Sequence, residues 1–309
     1  MTSTLIFGHK NPDTDTIASA ITLAYLVNQK GGDAEAVALG EANDETAYAL
    51  KTFGFKAPRV IIEASSEVNE VMLVDHNESQ QSVDDIDQVT VKAVIDHHRI
   101  ANFETADPLY YRAEPVGCTC TILYKIFQEE GIEIPADIAG MMASAIISDS
   151  LLFKSPTCTD EDVKVAQKLA KIADIDLDTY GLEMLKAGTN ISDKKATDIL
   201  NDDAKTFEMN DKVVRIGQVN VVDFAEINHR KDEILEQMKA ETDDHYYDLF
   251  VLLVTNILES NSKGFVYGPG YREMEMAFDR PVQMNTIELP GVVSRKKQVV
   301  PQLTNAFKQ

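Results

Sequence analysis

Val91-Lys92-Ala93-Val94-Ile95-Asp96-His97-His98 decides the fold. Its first five residues are apolar apart from Lys92 and rich in β-branched side chains, which reads as a buried strand. Three polar groups suited to a metal or a phosphate follow without a break. A strand that empties into such a cluster resembles the rim of an α/β sheet, where ligands bind outside the carboxyl ends of the strands. Two further stretches end the same way. Thr4-Leu5-Ile6-Phe7-Gly8 runs into His9-Lys10-Asn11-Pro12-Asp13-Thr14-Asp15, and Glu70-Val71-Met72-Leu73-Val74 runs into Asp75-His76-Asn77. Three apolar strands that each end in His and Asp sharpen a metal-site reading beyond what any one of them could carry.

Around these strands the pattern alternates. A helix is expected from Ile17 to Gln29, capped by Asp15 or Thr16 and stopped by Gly31-Gly32. A strand at Ala34–Leu39, a helix at Asp44–Phe53 and a short strand at Val60-Ile61-Ile62 follow. The segment from Gln80 to Gln88 is polar and short. Strand–helix alternation implies a parallel sheet with helices on both faces. From Cys118 the chain turns helical, with helices expected at Cys118–Glu130, Ala136–Ser148, Asp160–Ile172 and Leu177–Ala187. The stretch Ala187 to Lys195 is small and polar without apolar period, and reads as a linker. The pattern then restarts. Strands are expected at Val213–Val222, Asp248–Thr255 and near Gly264–Tyr267, and helices at Ile227–Ala240 and Lys297–Lys308. This is a second, smaller α/β domain.

Composition narrows the function. The chain has 309 residues, enough for two cores, and 44% hydrophobic residues, as in ordinary globular proteins. Its formal net charge of -22 argues against a long nucleic acid as partner. A small anionic substrate stays open, because bound cations reverse the local field. Three cysteines, Cys118, Cys120 and Cys158, are too sparse for a disulfide framework and point to a reducing compartment. Cys118-Thr119-Cys120 has no zinc or redox spacing and reads as buried packing. Met1-Thr2-Ser3 does not open a signal peptide, and no apolar run is long enough to span a membrane. The expectation is a cytoplasmic protein.

Pro12 disfavours helix at Asn11, so Asp13 and Asp15 lie in an extended or turning segment, where residues two apart point the same way. Two carboxylates held together call for a cation between them. A helix cap built from Asp13 to Thr16 explains the same letters equally well. Asp75 and His97 at neighbouring strand ends favour the metal. His9, Asp13, Asp15, Asp75 and His97 supply two imidazoles and three carboxylates, too many for one open ion and enough for two. Such ligands suit manganese, cobalt or iron, with magnesium and zinc possible. Two ions roughly 3.5–4 Å apart activate a water and clamp phosphoryl oxygens. In an unbroken strand His98 points away from His97 and is better placed to face a substrate. Asp149, in Ser148-Asp149-Ser150 past an apolar helix, is a weak candidate by spacing alone. Ser294-Arg295-Lys296-Lys297 is a cationic cluster at a helix start, where the dipole disfavours it, which suggests an anion to meet. Lys205 does not stand out from surface residues.

His9-x3-Asp13-x-Asp15, Asp75-His76-Asn77, Asp96-His97-His98, Ser148-Asp149-Ser150 and Ser294-Arg295-Lys296-Lys297 together resemble the family II (manganese-dependent) inorganic pyrophosphatases of the DHH phosphoesterase superfamily, over essentially the whole chain. The first four motifs are common to the superfamily; the basic cluster in a short second domain points to pyrophosphatase. The resemblance implies a DHH catalytic domain over 1–188, a hinge over 189–195 and a DHHA2-like substrate domain over 196–309, with the active site in the interdomain cleft. It implies that His9, Asp13 and Asp75 hold one manganese and Asp15, Asp75, His97 and Asp149 the other, Asp75 bridging. Cobalt is an alternative metal, and magnesium accompanies the substrate. His98, Lys205, Arg295 and Lys296 would bind pyrophosphate. The implied reaction is hydrolysis to two phosphates by a metal-bridged hydroxide, with His98 and Asp75 as catalytic groups, in a homodimer. A DHH-type exopolyphosphatase or an oligonucleotide phosphodiesterase is the alternative; the latter should add a basic or aromatic channel, and this chain has no tryptophan. A catalytically silent regulator would carry inserted nucleotide-binding repeats, for which the spacing from Ile61-Ile62 to Asp75 leaves no room.

Overall fold

The computed structural model describes residues 4–192, 194–201 and 203–308. Met1-Thr2-Ser3, read above for a signal peptide, and Asp193 of the expected linker lie outside the described residues. The chain divides into two units, Met1–Gly188 and Thr189–Gln309.

The first unit runs β1 (Thr4–Phe7), α1 (Thr14–Gln29), β2 (Ala34–Ala36), α2 (Asp44–Thr52), β3 (Glu70–Val74), β4 (Thr90–Asp96), β5 (Tyr110–Ala113), α3 (Thr119–Glu130), α4 (Ala136–Ser150), α5 (Asp160–Ala173) and α6 (Leu177–Gly188). The strands form one parallel sheet in the order β2-β1-β3-β4-β5. Winding reverses between β1 and β3. In open parallel sheets that reversal opens a crevice at the carboxyl ends of the two strands. The strands are apolar along their length because the sheet is covered: Leu5, Phe7, Val71, Leu73, Val91 and Val94 share one buried cluster. Lys92 is the exposed exception and pairs with Glu70 at 3.6 Å. Helix α4 is buried from Ile138 to Ile147. It packs closely because position 140 is glycine; a Cβ there would lie 2.1 Å from the Phe53 ring.

Three features of this unit differ from expectation. Helix α1 begins at Thr14 with Asp13 as its cap, so Asp15 and Thr16, expected as caps, lie inside its first turn. Val60-Ile61-Ile62 contributes a single bridge, Val60 to Ala38; Ile61 is buried in the core, but Val60 and Ile62 are exposed, so one side chain of the three anchors the segment. Strand β5, Tyr110-Tyr111-Arg112-Ala113, is unannounced in the sequence. It sits at the sheet edge, where one-sided burial asks for no apolar run.

The second unit runs α7 (Ala196–Asn201), β6 (Ala204–Met209), β7 (Lys212–Val221), α8 (Phe224–His229), α9 (Lys231–His245), β8 (Leu249–Asn256), β9 (Asn261–Tyr267), α10 (Tyr271–Phe278), β10 (Thr286–Pro290), a π-helical turn at Arg295–Val299 and α11 (Val300–Ala306). Its sheet is mixed, in the order β10-β9-β8-β7-β6, with only β7 and β8 parallel. β8 is central and wholly buried. Leu249, Val251 and Leu253 enter one core with Leu303 and Phe307, while Phe250, Leu252 and Val254 enter another with Ile227, Ile234 and Met238. Each such side chain contributes about 1.5–3 kcal/mol by burial. Strands β6 and β7 are joined by Asn210-Asp211, both at positive φ (52° and 61°), which is the hairpin turn whose twist matches the strands. The expected helix at Ile227–Ala240 is two helices broken at Arg230, whose guanidinium donates to the Ile191 carbonyl at 2.6 Å. Among the described residues of 189–195 there is no helix or strand, yet Ile191 is buried in the second unit's core. No helix among the described residues is long and apolar enough to cross a membrane.

Candidate metal centre

Four segments of the first unit bring their polar ends together. After β1 the chain carries His9, and Asp13 caps α1, its Oδ1 accepting from Thr16 N at 2.9 Å. Asp15 follows in the first turn. After β3 comes Asp75, in the left-handed region at φ 58°, which a non-glycine residue adopts at some cost and which Asp tolerates best with Asn. After β4 come His97 and His98, and at the end of α4 comes Asp149.

The side chains converge. His9 Nε2 lies 3.5 Å from Asp13 Oδ2 and 3.4 Å from Asp75 Oδ2. His97 Nε2 lies 3.3 Å from Asp75 Oδ1, 3.8 Å from Asp149 Oδ2 and 4.0 Å from Asp15 Oδ2. The two oxygens of Asp75 thus face two imidazoles. His9, Asp13 and Asp75 form one set whose ligand atoms lie within 4.8 Å of one another, and Asp15, His97 and Asp149 form another. Cap and cluster are both real at Asp13: one oxygen holds the helix and the other faces His9.

Backbone and hydroxyl groups fix these attitudes. His9 Nδ1 is 2.8 Å from the Lys10 carbonyl and His97 Nδ1 is 3.1 Å from the Val116 carbonyl. Each ring spends its Nδ1–H on a carbonyl and turns Nε2 inward, the tautomer of a metal ligand. Thr16 and Thr119 hydroxyls donate to Asp75 at 2.7 and 3.2 Å. Asp15 accepts from Ser19 Oγ at 2.8 Å and from the Thr119 and Cys120 N–H groups at 2.6 and 3.3 Å, so it caps α3, which its own N-cap residue Cys118 does not. Cys118 and Cys120 are buried, as expected for packing, but the segment around them is the scaffold of the centre.

The electrostatics show what such a set calls for. Burial opposes charge on His97, yet Asp75 and Asp15 outweigh it and raise the imidazole to about 9. His9 is likewise raised against burial by Asp13 and Asp75. Burial and the Asp75 charge push Asp15 up to about 6, and burial with Asp15, Asp13 and Asp75 pushes Asp149 far above the carboxylate range. Four carboxylates outnumber two imidazoles, so the excess charge must hold protons or meet cations. Asp149 Oδ2 is buried with no hydrogen-bond partner. Mixed carboxylate and imidazole donors with an orphaned oxygen fit divalent transition ions.

His98 lies nearer His97 than strand alternation predicts, with ring centroids 4.2 Å apart, because β4 ends at Asp96. Its Nδ1 is 2.9 Å from Asp96 Oδ1 and 3.7 Å from Asp75 Oδ1. Asp96, fully buried, also accepts from Asn77 Nδ2 at 2.6 Å. In the second unit Lys205 lies exposed on β6, and Arg295 and Lys296 begin the π-helical turn, capped by Ser294. Arg295 is oriented by Asp203: Nη2 reaches its Oδ1 at 2.6 Å and Nη1 its carbonyl at 2.7 Å. Thr119 and the Val116 carbonyl escaped the sequence reading, while Asp96 was read there as part of its motif and Thr16 as a cap, without the partners they take here.

Residues 3–146 match the family model for the DHH family, N-terminal domain, and residues 182–306 match that for the DHHA2 domain. A protein named probable manganese-dependent inorganic pyrophosphatase from Lactobacillus helveticus is 60% identical over 309 residues, 99% of each chain. Another of that name from Enterococcus faecalis is 60% identical over 99% of this chain and all of its own. A solved structure from Methanococcus jannaschii, described as a family II inorganic pyrophosphatase, superposes with a TM-score of 0.84 at 41% identity over 99% of this chain and 100% of that one. An exopolyphosphatase-related protein from Bacteroides fragilis, 14% identical with a TM-score of 0.53 over 99% of this chain and 92% of its own, shares the fold alone. Fold and centre together define a DHH phosphoesterase. Within that class, the chain belongs to the manganese-dependent, family II inorganic pyrophosphatases.

Proposed function

We propose that this chain hydrolyses inorganic pyrophosphate to two phosphates at a centre of two manganese ions. The observation that carries the reading is the convergence of four carboxylates and two imidazoles at the rim of a DHH sheet. His9, Asp13 and Asp75 would hold one ion, and Asp15, Asp75, His97 and Asp149 the other. Support for Asp75 as the shared ligand comes from its two oxygens, which face different imidazoles. When bound, two such ions lower the pKa of a shared water and draw charge from phosphoryl oxygens. Cobalt fits the same donors, and magnesium enters with the substrate. Arg295, Lys296 and Lys205 neutralise the phosphate oxygens, the arginine as a fork and the lysines as point charges. His98, with Nδ1 held by Asp96, presents Nε2 to the leaving phosphate.

Metal-stripped protein reloaded with manganese and assayed with magnesium tests this. Phosphate release from pyrophosphate should exceed that from short polyphosphate or a dinucleotide by at least about a hundredfold, the discrimination a site shaped to one substrate achieves. Preference for the dinucleotide would overturn the substrate.

Free thiols at all three cysteines support a reducing compartment, the cytoplasm. A homodimer completes the proposal: the outer edge of β5 pairs with no strand among the described residues, and Tyr110 on it is 51% exposed. Light scattering should return about twice the 34.3 kDa chain mass, and the single-chain mass would refute the dimer.

A further inference from the structure

Asp162 lies on α5, belongs to none of the candidate ligand sets, and is fully buried. A buried carboxylate needs its lone pairs filled, and four donors fill them. Thr159 N and Oγ1 donate to Oδ2 at 2.7 and 2.6 Å, closing the capping box of α5. The other two donors come from a different segment: Gly117 N reaches Oδ2 at 2.8 Å and Thr121 Oγ1 reaches Oδ1 at 2.6 Å. Position 117 is glycine where that approach requires it, since a Cβ would stand 2.7 Å from Oδ2.

The clamped segment, Val116 to Thr121, is the one that serves the centre. Its Val116 carbonyl accepts from His97 Nδ1, its Thr119 and Cys120 N–H groups donate to Asp15, and its Thr119 hydroxyl donates to Asp75. Three candidate ligands thus take their orientation from six consecutive residues, and Asp162 grips both ends of that run. We propose that Asp162 is a positioning residue, anchoring the Val116–Thr121 segment so that Asp15, Asp75 and His97 stand ready for their cations. The capping box alone does not account for it, because a cap needs Thr159 and the helix but neither Gly117 nor Thr121. This inference rests on the two-cation reading above.

Manganese titration by calorimetry, with the electron paramagnetic resonance spectrum of bound manganese, separates the two roles. Asp162→Asn and Thr121→Val should each weaken manganese binding by between about tenfold and a hundredfold and alter the spectrum, the usual cost of losing a group that orients metal ligands. Thr121→Ser, which restores the hydroxyl, should return both to wild type. Thr159→Ala, which removes the cap hydroxyl and one of the four donors to Asp162 but leaves its contacts with Gly117 and Thr121, should lower the melting temperature and leave affinity and spectrum unchanged. Wild-type affinity and spectrum in Asp162→Asn and Thr121→Val would overturn the inference, as would equal weakening in Thr159→Ala. If Asp162→Asn does not fold, the Thr121 pair decides. Wild-type protein that takes up no manganese would overturn the two-cation reading and this inference with it.

Discussion

Asp75→Ala is expected to lose tight binding of both manganese ions and to release phosphate from pyrophosphate at least about 10⁴-fold more slowly. The magnitude follows from sharing: disturbing groups that merely orient a ligand costs 10–100-fold in affinity, and a shared ligand incurs that loss or more at two sites. Asp75 is 1% exposed and sits between His9 Nε2 and His97 Nε2. Burial would raise its pKa, but the contacts with His9 and His97 outweigh that and hold the carboxylate well below its ordinary range. Removing it leaves two imidazoles without their common counter-charge, and breaking a buried pair costs about 3–5 kcal/mol. Asp75→Asn separates ligation from folding, because the amide keeps the shape: its oxygen accepts from one of the Thr16 and Thr119 hydroxyls and its NH2 donates to the other. It should fold and still fail to hold two ions. Calorimetric titration checks both variants; two tight ions in either would end the bridging role. Asp13→Ala, by contrast, should cost one ion only.

Arg295→Ala is expected to lower kcat/KM for pyrophosphate by about 10²–10³ while leaving manganese binding unchanged, the size of losing one charged donor at a developing negative charge. The side chain is 11% exposed and its direction is set by Asp203 and by the carbonyls of Asp203 and Ile216. Asp203 itself is 55% exposed, so losing its partner costs the fold little. An activity loss then reports on the phosphate and not on stability. Arg295→Lys should recover only part of it, since an ammonium lacks the planar fork. Steady-state kinetics beside a manganese titration checks the pair of expectations; unchanged kcat/KM would remove Arg295 from the substrate site.

The fold was legible where burial is two-sided. Strands β1, β3, β4 and β8 are apolar runs, broken in β4 only by the exposed Lys92, because their sheets are covered. Strands β5, β6 and β10 were not, because edge strands need little apolar sequence; for β6 the Asn210-Asp211 turn was the available sign. In the centre, His9, Asp13, Asp15, Asp75 and His97 could be picked out because each follows an apolar strand at one rim. Asp149 ends a helix, which local spacing does not distinguish from any C-terminal acid. The tertiary contacts of Thr16, Thr119 and Asp162 were out of reach, since those partners are 41 to 59 residues away in sequence. The broken helix at Arg230 follows from a tertiary bond to Ile191 that no local pattern encodes.

Anomalous diffraction at the manganese edge, from crystals of the manganese-loaded protein, tests the central claim most directly. Two peaks per chain are predicted, one within ligand distance of His9, Asp13 and Asp75 and the other within ligand distance of Asp15, Asp75, His97 and Asp149. A single peak, or two peaks of which neither touches Asp75, would contradict the account.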